Sequence, residues 1–82
     1  MTRFQVYILE SEKDQKHYTG YTKDLERRLI EHNEGRVQST RNRRPLKLIY
    51  TETFSSSVEA RKKEKFFKTR QGRRELKKNT GK

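Results

Sequence analysis

The sequence predicts a small α+β domain, in which a three-stranded antiparallel sheet is flanked by helices in the order β-β-α-β-α. Three short segments rich in aliphatic and aromatic residues alternate between two faces, as strands do. Two longer, highly charged segments repeat their apolar residues at helical spacing. A short C-terminal helix is expected to follow them.

The strands are predicted at residues 3–10, 16–20 and 46–52. The first has two faces, formed by Phe4, Val6 and Ile8 and by Gln5, Tyr7 and Leu9. A polar turn joins it to the second strand as a hairpin, and Gly20 either ends that strand or marks a close backbone approach. In the third strand, one face is expected to hold Leu46, Leu48 and Tyr50.

The first helix is predicted at residues 23–34. Counting about 100° per residue, the residues of its buried arc are Leu25, Leu29 and Ile30. Arg27 and Glu31 are expected to face solvent. Arg28 and His32 lie on the border of the arc, one turn apart.

The second helix is predicted at residues 57–69, opening with capping-box spacing at Ser56. Its core face is expected to hold Ala60 and Phe67. Glu64 lies beside that face, and Gly72 predicts a break or kink before the end of the chain.

The charge of the chain indicates a polyanionic partner. Its 82 residues include 22 Lys and Arg against 11 Asp and Glu. The net charge of +11 favours nucleic acid first and an anionic membrane surface second. No segment is long and apolar enough to span a bilayer, and no helix shows a clean apolar face opposite a basic one. Membrane binding is therefore the weakest hypothesis.

We expect one domain over residues 1–82, with a core at 3–69, a basic C-terminal helix or tail at 70–82, and frayed ends. The absence of cysteine excludes disulfides and thiolate zinc sites. A cytoplasmic location and a monomer are the default expectations.

Four short segments carry a resemblance to a known family. They are QVY at residues 5–7, YTG at 18–20, the helical DLERR, and EARKKEKFFK further along. In this order they resemble the two name-giving tripeptides, the arginine helix and the glutamate helix of the GIY-YIG endonuclease superfamily. The likeness is greatest to its small, single-domain bacterial members, which are largely uncharacterised. Gln5 and Thr19 depart from the family tripeptides, at positions that carry no chemistry in the family.

The resemblance implies a catalytic set of five residues. Tyr7 would activate or position the attacking water, and Tyr18 would hold or protonate phosphate oxygens. Arg28 would bind the scissile phosphate, with assistance from His32. Glu64 would hold one divalent metal ion, Mg²⁺ or alternatively Mn²⁺, and a single carboxylate suits Mg²⁺ because that ion keeps several waters.

Each of these residues also has a plainer interpretation. Tyr7 and Tyr18 could form a cross-strand aromatic pair, and Arg28 could lie along a helix edge. His32 could be a surface residue favoured near a helix C-terminus, and Glu64 could pair with neighbouring lysines. The spacing of the whole set favours the catalytic interpretation for Tyr7, Tyr18, Arg28 and Glu64. For His32 the catalytic and the surface interpretation are equally favoured.

The resulting hypothesis is a metal-dependent nuclease, with DNA favoured over RNA as its partner. One alternative is a nucleic-acid-binding module that keeps the fold without turnover, and another is an RNA- or ribosome-associated basic protein. Phosphate contacts that carry no sequence code are expected from Arg41, Arg43, Arg44, Lys68, Arg70, Arg73 and Arg74, and further along from Lys77 and Lys78.

Overall fold

The computed structural model describes residues 3–80, with the side chains of residues 3–78. Its elements are β1 (Phe4–Ser11), β2 (His17–Thr22), α1 (Leu25–Asn33), a 3₁₀ turn (Arg41–Arg43), β3 (Leu46–Phe54), α2 (Ser57–Phe67) and α3 (Arg70–Thr80). The predicted α+β class and element order are confirmed, including the C-terminal helix. The predicted fraying of the ends concerns residues that lie outside the described range. None of the described helices is both long and apolar enough to cross a membrane.

The sheet is antiparallel and has β1 at its centre, in the order β2-β1-β3. Tyr7 of β1 pairs with Gly20 of β2 and with Thr51 of β3. Successive residues of a strand point to opposite faces. The central strand therefore divides the protein into two clusters that lie back to back.

The first cluster, which we call the α2–α3 face, is apolar throughout. It consists of Val6 and Ile8 of β1, Ala60 and Phe67 of α2, and Leu76 of α3, none more than 4% exposed. Burial of such side chains is the main contribution to the stability of a small domain. The predicted core positions on α2 are confirmed.

The second cluster, which we call the α1 face, is built around a tyrosine. Tyr7 and Leu9 of β1 lie against Leu46 of β3, and Leu25 and Leu29 of α1 pack over them. The two faces of β1 are thus separated as the alternation predicts.

α1 buries a different arc from the one predicted. His32, expected on the border, is fully buried, whereas Ile30, expected in the buried arc, is 53% exposed. The nine-residue helix covers the sheet with one stripe, which runs from Leu25 and Leu29, both partly buried, to the fully buried His32. Because Ile30 lies about 100° beyond Leu29 on the helix, it remains in solvent.

A bulge in β3 reverses the predicted facing of Tyr50. The pairing of β3 with β1 skips Ile49, which is an extra residue on β3. Such a bulge breaks the alternation of a strand. Leu48 therefore stays on the α1 face, while Tyr50 packs against Phe67 on the α2–α3 face, with ring centroids 5.2 Å apart.

The break that Gly72 predicts lies a few residues earlier, between α2 and α3. Thr69 caps α3, since its hydroxyl accepts a hydrogen bond from the Gly72 N–H at 3.1 Å. Gly72 itself lies in the first turn of α3, where a Cβ would come within 2.6 Å of the Phe66 carbonyl carbon. The glycine therefore lets α3 fold back closely onto the end of α2, and no kink is needed there.

Candidate active site

The Tyr7 ring lies across Gly20, its pairing partner on the edge strand β2. A Cβ at position 20 would come within 2.6 Å of the Tyr7 hydroxyl oxygen, so any larger residue would displace the ring. β2 continues past this point to Thr22. Of the two interpretations of Gly20, the close approach is therefore confirmed and the strand end is wrong.

The Tyr7 hydroxyl begins a chain of hydrogen bonds inside the protein, which runs through His32 to Thr40. It lies 3.0 Å from Nε2 of His32, and Nδ1 of His32 lies 2.7 Å from the Thr40 hydroxyl. All three side chains are buried. His32 is therefore part of an internal network, and its interpretation as a surface residue is wrong.

Burial keeps both titratable members of this network neutral. Desolvation raises the pKa of Tyr7 to about 12. Desolvation, with the positive charge of Arg28 as a second cause, lowers the pKa of His32 to about 4. At neutral pH the two side chains therefore meet as a phenol and an uncharged imidazole.

Tyr18 packs against both rings of this network. Its ring centroid lies 6.3 Å from that of Tyr7 and 5.0 Å from that of His32, the second contact being edge-on. Tyr7 and Tyr18 therefore form a cross-strand aromatic pair, and the same contacts place them in the predicted catalytic cluster. The geometry by itself is compatible with both interpretations.

Arg28 approaches the same hydroxyl from α1. Its interaction with Tyr7 is the first cause that raises the pKa of Arg28. The guanidinium also donates to Glu31, at 3.1 Å. Glu31 was expected to face solvent, but its side chain is only 22% exposed and lies between Arg28 and Arg27. Arg28 is therefore already paired with a carboxylate.

Glu64 does not lie with the other four predicted residues on the α1 face. It lies on α2, which packs on the opposite face of the sheet. Its side chain is 18% exposed, and its carboxylate is 3.7 Å from the Lys68 ammonium. Its charge is among the causes that raise the pKa of Tyr7, so the carboxylate is within electrostatic reach of the hydroxyl. Sequence reasoning had not anticipated that α1 and α2 would approach the site from different faces.

A groove of about 710 Å³ runs between the edge strand β2 and the ends of α2 and α3. Phe67, Leu76 and Tyr18 supply its apolar and aromatic surface. Its basic residues are Lys16, Arg43, Lys68, Arg73 and Lys77. The basic groove, as we call it, thus adjoins the candidate site through Tyr18.

The other predicted phosphate contacts lie outside the lining of this groove. Arg41 and Arg44 are exposed in the segment between α1 and β3, where Arg41 donates to the Gly35 carbonyl at 3.1 Å and Arg44 to the Arg41 carbonyl at 2.8 Å. Arg70 and Arg74 are exposed on α3. Sequence reasoning missed Lys16, which lies in a polar turn, and Thr40, which is hidden within a basic loop.

A model of the GIY-YIG catalytic domain matches residues 3–79. With the tripeptides on β1 and β2, the arginine on α1 and the glutamate on α2, the chain belongs to the GIY-YIG family. Membership indicates a nuclease-type function.

The chain is similar to several UPF0213 proteins. It is 42% identical over 78 residues to one from Staphylococcus saprophyticus, covering 94% of each chain. It is 48% identical over 71 residues to one from Streptococcus agalactiae, covering 83% of this chain and 80% of the relative. A solution NMR structure of the UPF0213 protein BH0048 from Bacillus halodurans matches with a TM-score of 0.60 and 38% identity, over 96% of this chain and 86% of that one. The predicted likeness to the small members of the superfamily is confirmed.

Proposed function

We propose that the protein is a metal-dependent endonuclease that hydrolyses phosphodiester bonds in DNA. The observation that carries the proposal is the Tyr7 hydroxyl, which bonds His32, interacts with Arg28 and lies within reach of the Glu64 charge. Hydrolysis of a phosphodiester needs a positioned nucleophile, charge neutralisation at phosphorus and help for the leaving oxygen. These groups supply candidates for each need.

In this mechanism Tyr7 positions the attacking water and passes a proton inward. As the water oxygen bonds to phosphorus, its proton moves to the Tyr7 oxygen, and the Tyr7 proton moves to Nε2 of His32, 3.0 Å away. The pKa values of about 12 and about 4 oppose this transfer in the free protein. A bound phosphate reduces the opposition, because it offsets the Arg28 charge that helps to lower the pKa of His32.

Arg28 binds the scissile phosphate and stabilises the charge that develops on it. Guanidinium groups bind phosphate and carboxylate in the same forked geometry, so a phosphate would replace Glu31 as the partner of Arg28. Tyr18, which lines the basic groove beside Tyr7, holds or protonates a phosphate oxygen. In this proposal Arg28 and Tyr18 both contact the phosphate of the substrate directly.

The proposed metal ion depends on the ligands that the protein can offer. No group of three or more His, Cys, Asp or Glu able to hold an ion occurs in the described part of the chain. A site closed by protein ligands therefore does not fit, but a site that takes one carboxylate, waters and phosphate oxygens fits Mg²⁺. Glu64 would be its ligand, and the bound ion, Mg²⁺ or alternatively Mn²⁺, would supply Lewis-acid neutralisation of phosphate charge. Lys68 would have to release the Glu64 carboxylate, and could then contact a phosphate in the basic groove.

The charge of the molecule supports a nucleic-acid partner. The basic groove carries five Lys and Arg side chains beside Tyr18, and the whole chain has a net charge of +11. Phosphate contacts of this kind bind without sequence preference and weaken steeply as salt rises. We therefore expect weak sequence discrimination by the isolated protein.

The decisive experiment combines a substrate panel with a matched pair of variants. Nicked, branched, single-stranded and duplex DNA, with RNA counterparts, are incubated with Mg²⁺ or with EDTA, and cleavage is expected only with Mg²⁺. Glu64→Gln should lower the cleavage rate about 10²- to 10³-fold while binding persists. Glu59→Gln, an exposed position on the same helix, should cleave like the wild type.

A binding module without turnover is the second candidate. The observation that favours it is the ion pair of Glu64 with Lys68, which occupies the carboxylate that a metal would need. Salt-dependent binding without cleavage of any substrate would establish this candidate. Metal-independent preference for RNA would instead support a ribosome- or RNA-associated protein.

A further inference from the structure

The loop between α1 and β3 contributes one buried side chain to the site, and no role has been assigned to it. Thr40 is fully buried, and its hydroxyl lies 2.7 Å from Nδ1 of His32. The same hydroxyl lies 3.5 Å from the Val37 carbonyl oxygen, to which it donates. The loop is held here by its backbone as well, since the Arg43 N–H donates to the Thr40 carbonyl at 2.9 Å.

The donors and acceptors around Thr40 fix the direction of this network. A hydroxyl has one proton to donate, and Thr40 donates it to the Val37 carbonyl. Toward Nδ1 of His32, 2.7 Å away, the Thr40 oxygen therefore acts as an acceptor, and the proton of the neutral imidazole lies on Nδ1. Nε2 is then unprotonated and can accept the phenolic proton of Tyr7.

The opposite direction leaves an acceptor without a partner. If Nε2 of His32 carried the proton, Nδ1 would be an acceptor. The single Thr40 proton could then serve either Nδ1 or the Val37 carbonyl, but not both. A buried polar group without its hydrogen bond is unfavourable, so this tautomer is disfavoured as long as the Thr40 hydroxyl is present.

We propose that Thr40 is a positioning residue that holds His32 in its Nδ1–H tautomer, so that Nε2 can accept the proton of Tyr7. The inference rests on the proposed nuclease mechanism for its functional meaning. Thr40 does not touch the substrate and acts only through His32. Arg41 follows it directly in the chain, so the loop that presents basic side chains also sets the tautomer of the buried histidine.

The test reads the tautomer directly, by two-bond ¹H–¹⁵N correlation spectra of the His32 ring at neutral pH. In the wild type we expect Nδ1 to be protonated and Nε2 to be bare. Thr40→Val keeps the shape of the side chain and removes the hydroxyl, and it should shift the ring toward the Nε2–H tautomer. Thr40→Ser keeps the hydroxyl and should retain the wild-type spectrum.

Cleavage provides the second readout. Thr40→Val should lower the rate about 10- to 100-fold, by analogy with the loss on removing the hydrogen-bond partner of a metal-bound histidine, with unchanged DNA affinity. Thr40→Ser should restore most of the rate. A wild-type spectrum with Nε2 protonated overturns the inference, and so does Thr40→Val with an unaltered tautomer. If the wild type cleaves nothing, the proposed function fails, while the spectra still decide whether Thr40 sets the tautomer.

Discussion

The two faces of β1 use neighbouring residues for different purposes. Ile8 lies in the α2–α3 face, where every buried partner is apolar. Tyr7, one residue before it, lies in the α1 face and makes a hydrogen bond to buried His32, which contacts Thr40. Apolar packing depends on shape and volume, whereas a buried polar network depends on every donor having an acceptor. Substitutions on the α1 face should therefore reduce both cleavage and stability, whereas those on the α2–α3 face should reduce stability alone.

The largest difference in cleavage rate is expected between Tyr7→Phe, which removes a hydroxyl on the α1 face, and Ile8→Val, which removes a methyl group on the α2–α3 face. Tyr7→Phe removes the group that positions the water, and we expect the cleavage rate to fall about 10²- to 10⁴-fold. It also leaves Nε2 of His32 without a partner, at a cost of about 1–3 kcal/mol in unfolding free energy. Rates on a cleavable substrate and urea unfolding measure the two effects.

Ile8→Val is the control from the other face. It should lower the free energy of unfolding by about 0.5–1.5 kcal/mol and leave the rate per folded molecule unchanged. Equal loss of rate in both variants would show that cleavage follows stability alone, and the division between the faces would have no functional meaning.

The next effect is acid destabilisation of the α1 face. His32 has a pKa of about 4 in the folded protein and about 6.5 when unfolded. Between these values the unfolded chain binds more protons, so stability is fully present above pH 6.5 and is lost as the pH falls toward 4. Between pH 7 and pH 5 we expect a loss of about 2 kcal/mol.

Urea unfolding at the two pH values measures this loss. His32→Gln removes the titrating group and should flatten the dependence. His17→Gln, at an exposed position on β2, should keep it. Acid sensitivity that survives in His32→Gln would assign it to other groups.

The smallest effect concerns the carboxylate that pairs with Arg28. Glu31→Gln removes the partner that a phosphate must displace, and we expect DNA affinity to rise about 2- to 5-fold, as for a partly exposed ion pair. Glu34→Gln changes the net charge equally, but breaks a surface pair with Arg36 at 3.0 Å. An equal gain from both variants in a salt titration would mean that Glu31 acts only through net charge.

Sequence patterns predicted the parts of the molecule that depend on local periodicity. The alternation along β1 separated Tyr7 from Ile8, and helical spacing placed Glu64 beside the core face of α2. Periodicity could not reveal the extra residue at Ile49, because a bulge depends on pairing with another strand. Tyr50 was therefore assigned to the wrong face.

The family resemblance proposed five residues for the candidate site, and the structure gathers four of them, Tyr7, Tyr18, Arg28 and His32, around the α1 face. The resemblance gave no sign that His32 would be buried, because that depends on which stripe of α1 covers the sheet. Thr40 gave no signal, since its contact joins a loop to a helix without any repeat. Such contacts become visible only when the fold brings the segments together.

The position of β2 has a consequence for how copies of the chain meet. β2 is an edge strand, and edges with open backbone groups tend to add a strand from another molecule. Beside this edge lie Lys16 and Arg43, with Lys68 and Arg73 across the groove. Two copies approaching edge to edge would bring like charges together, so the residues suited to hold phosphate also oppose aggregation through the sheet. A polyanion that neutralised them without covering β2 would remove that protection.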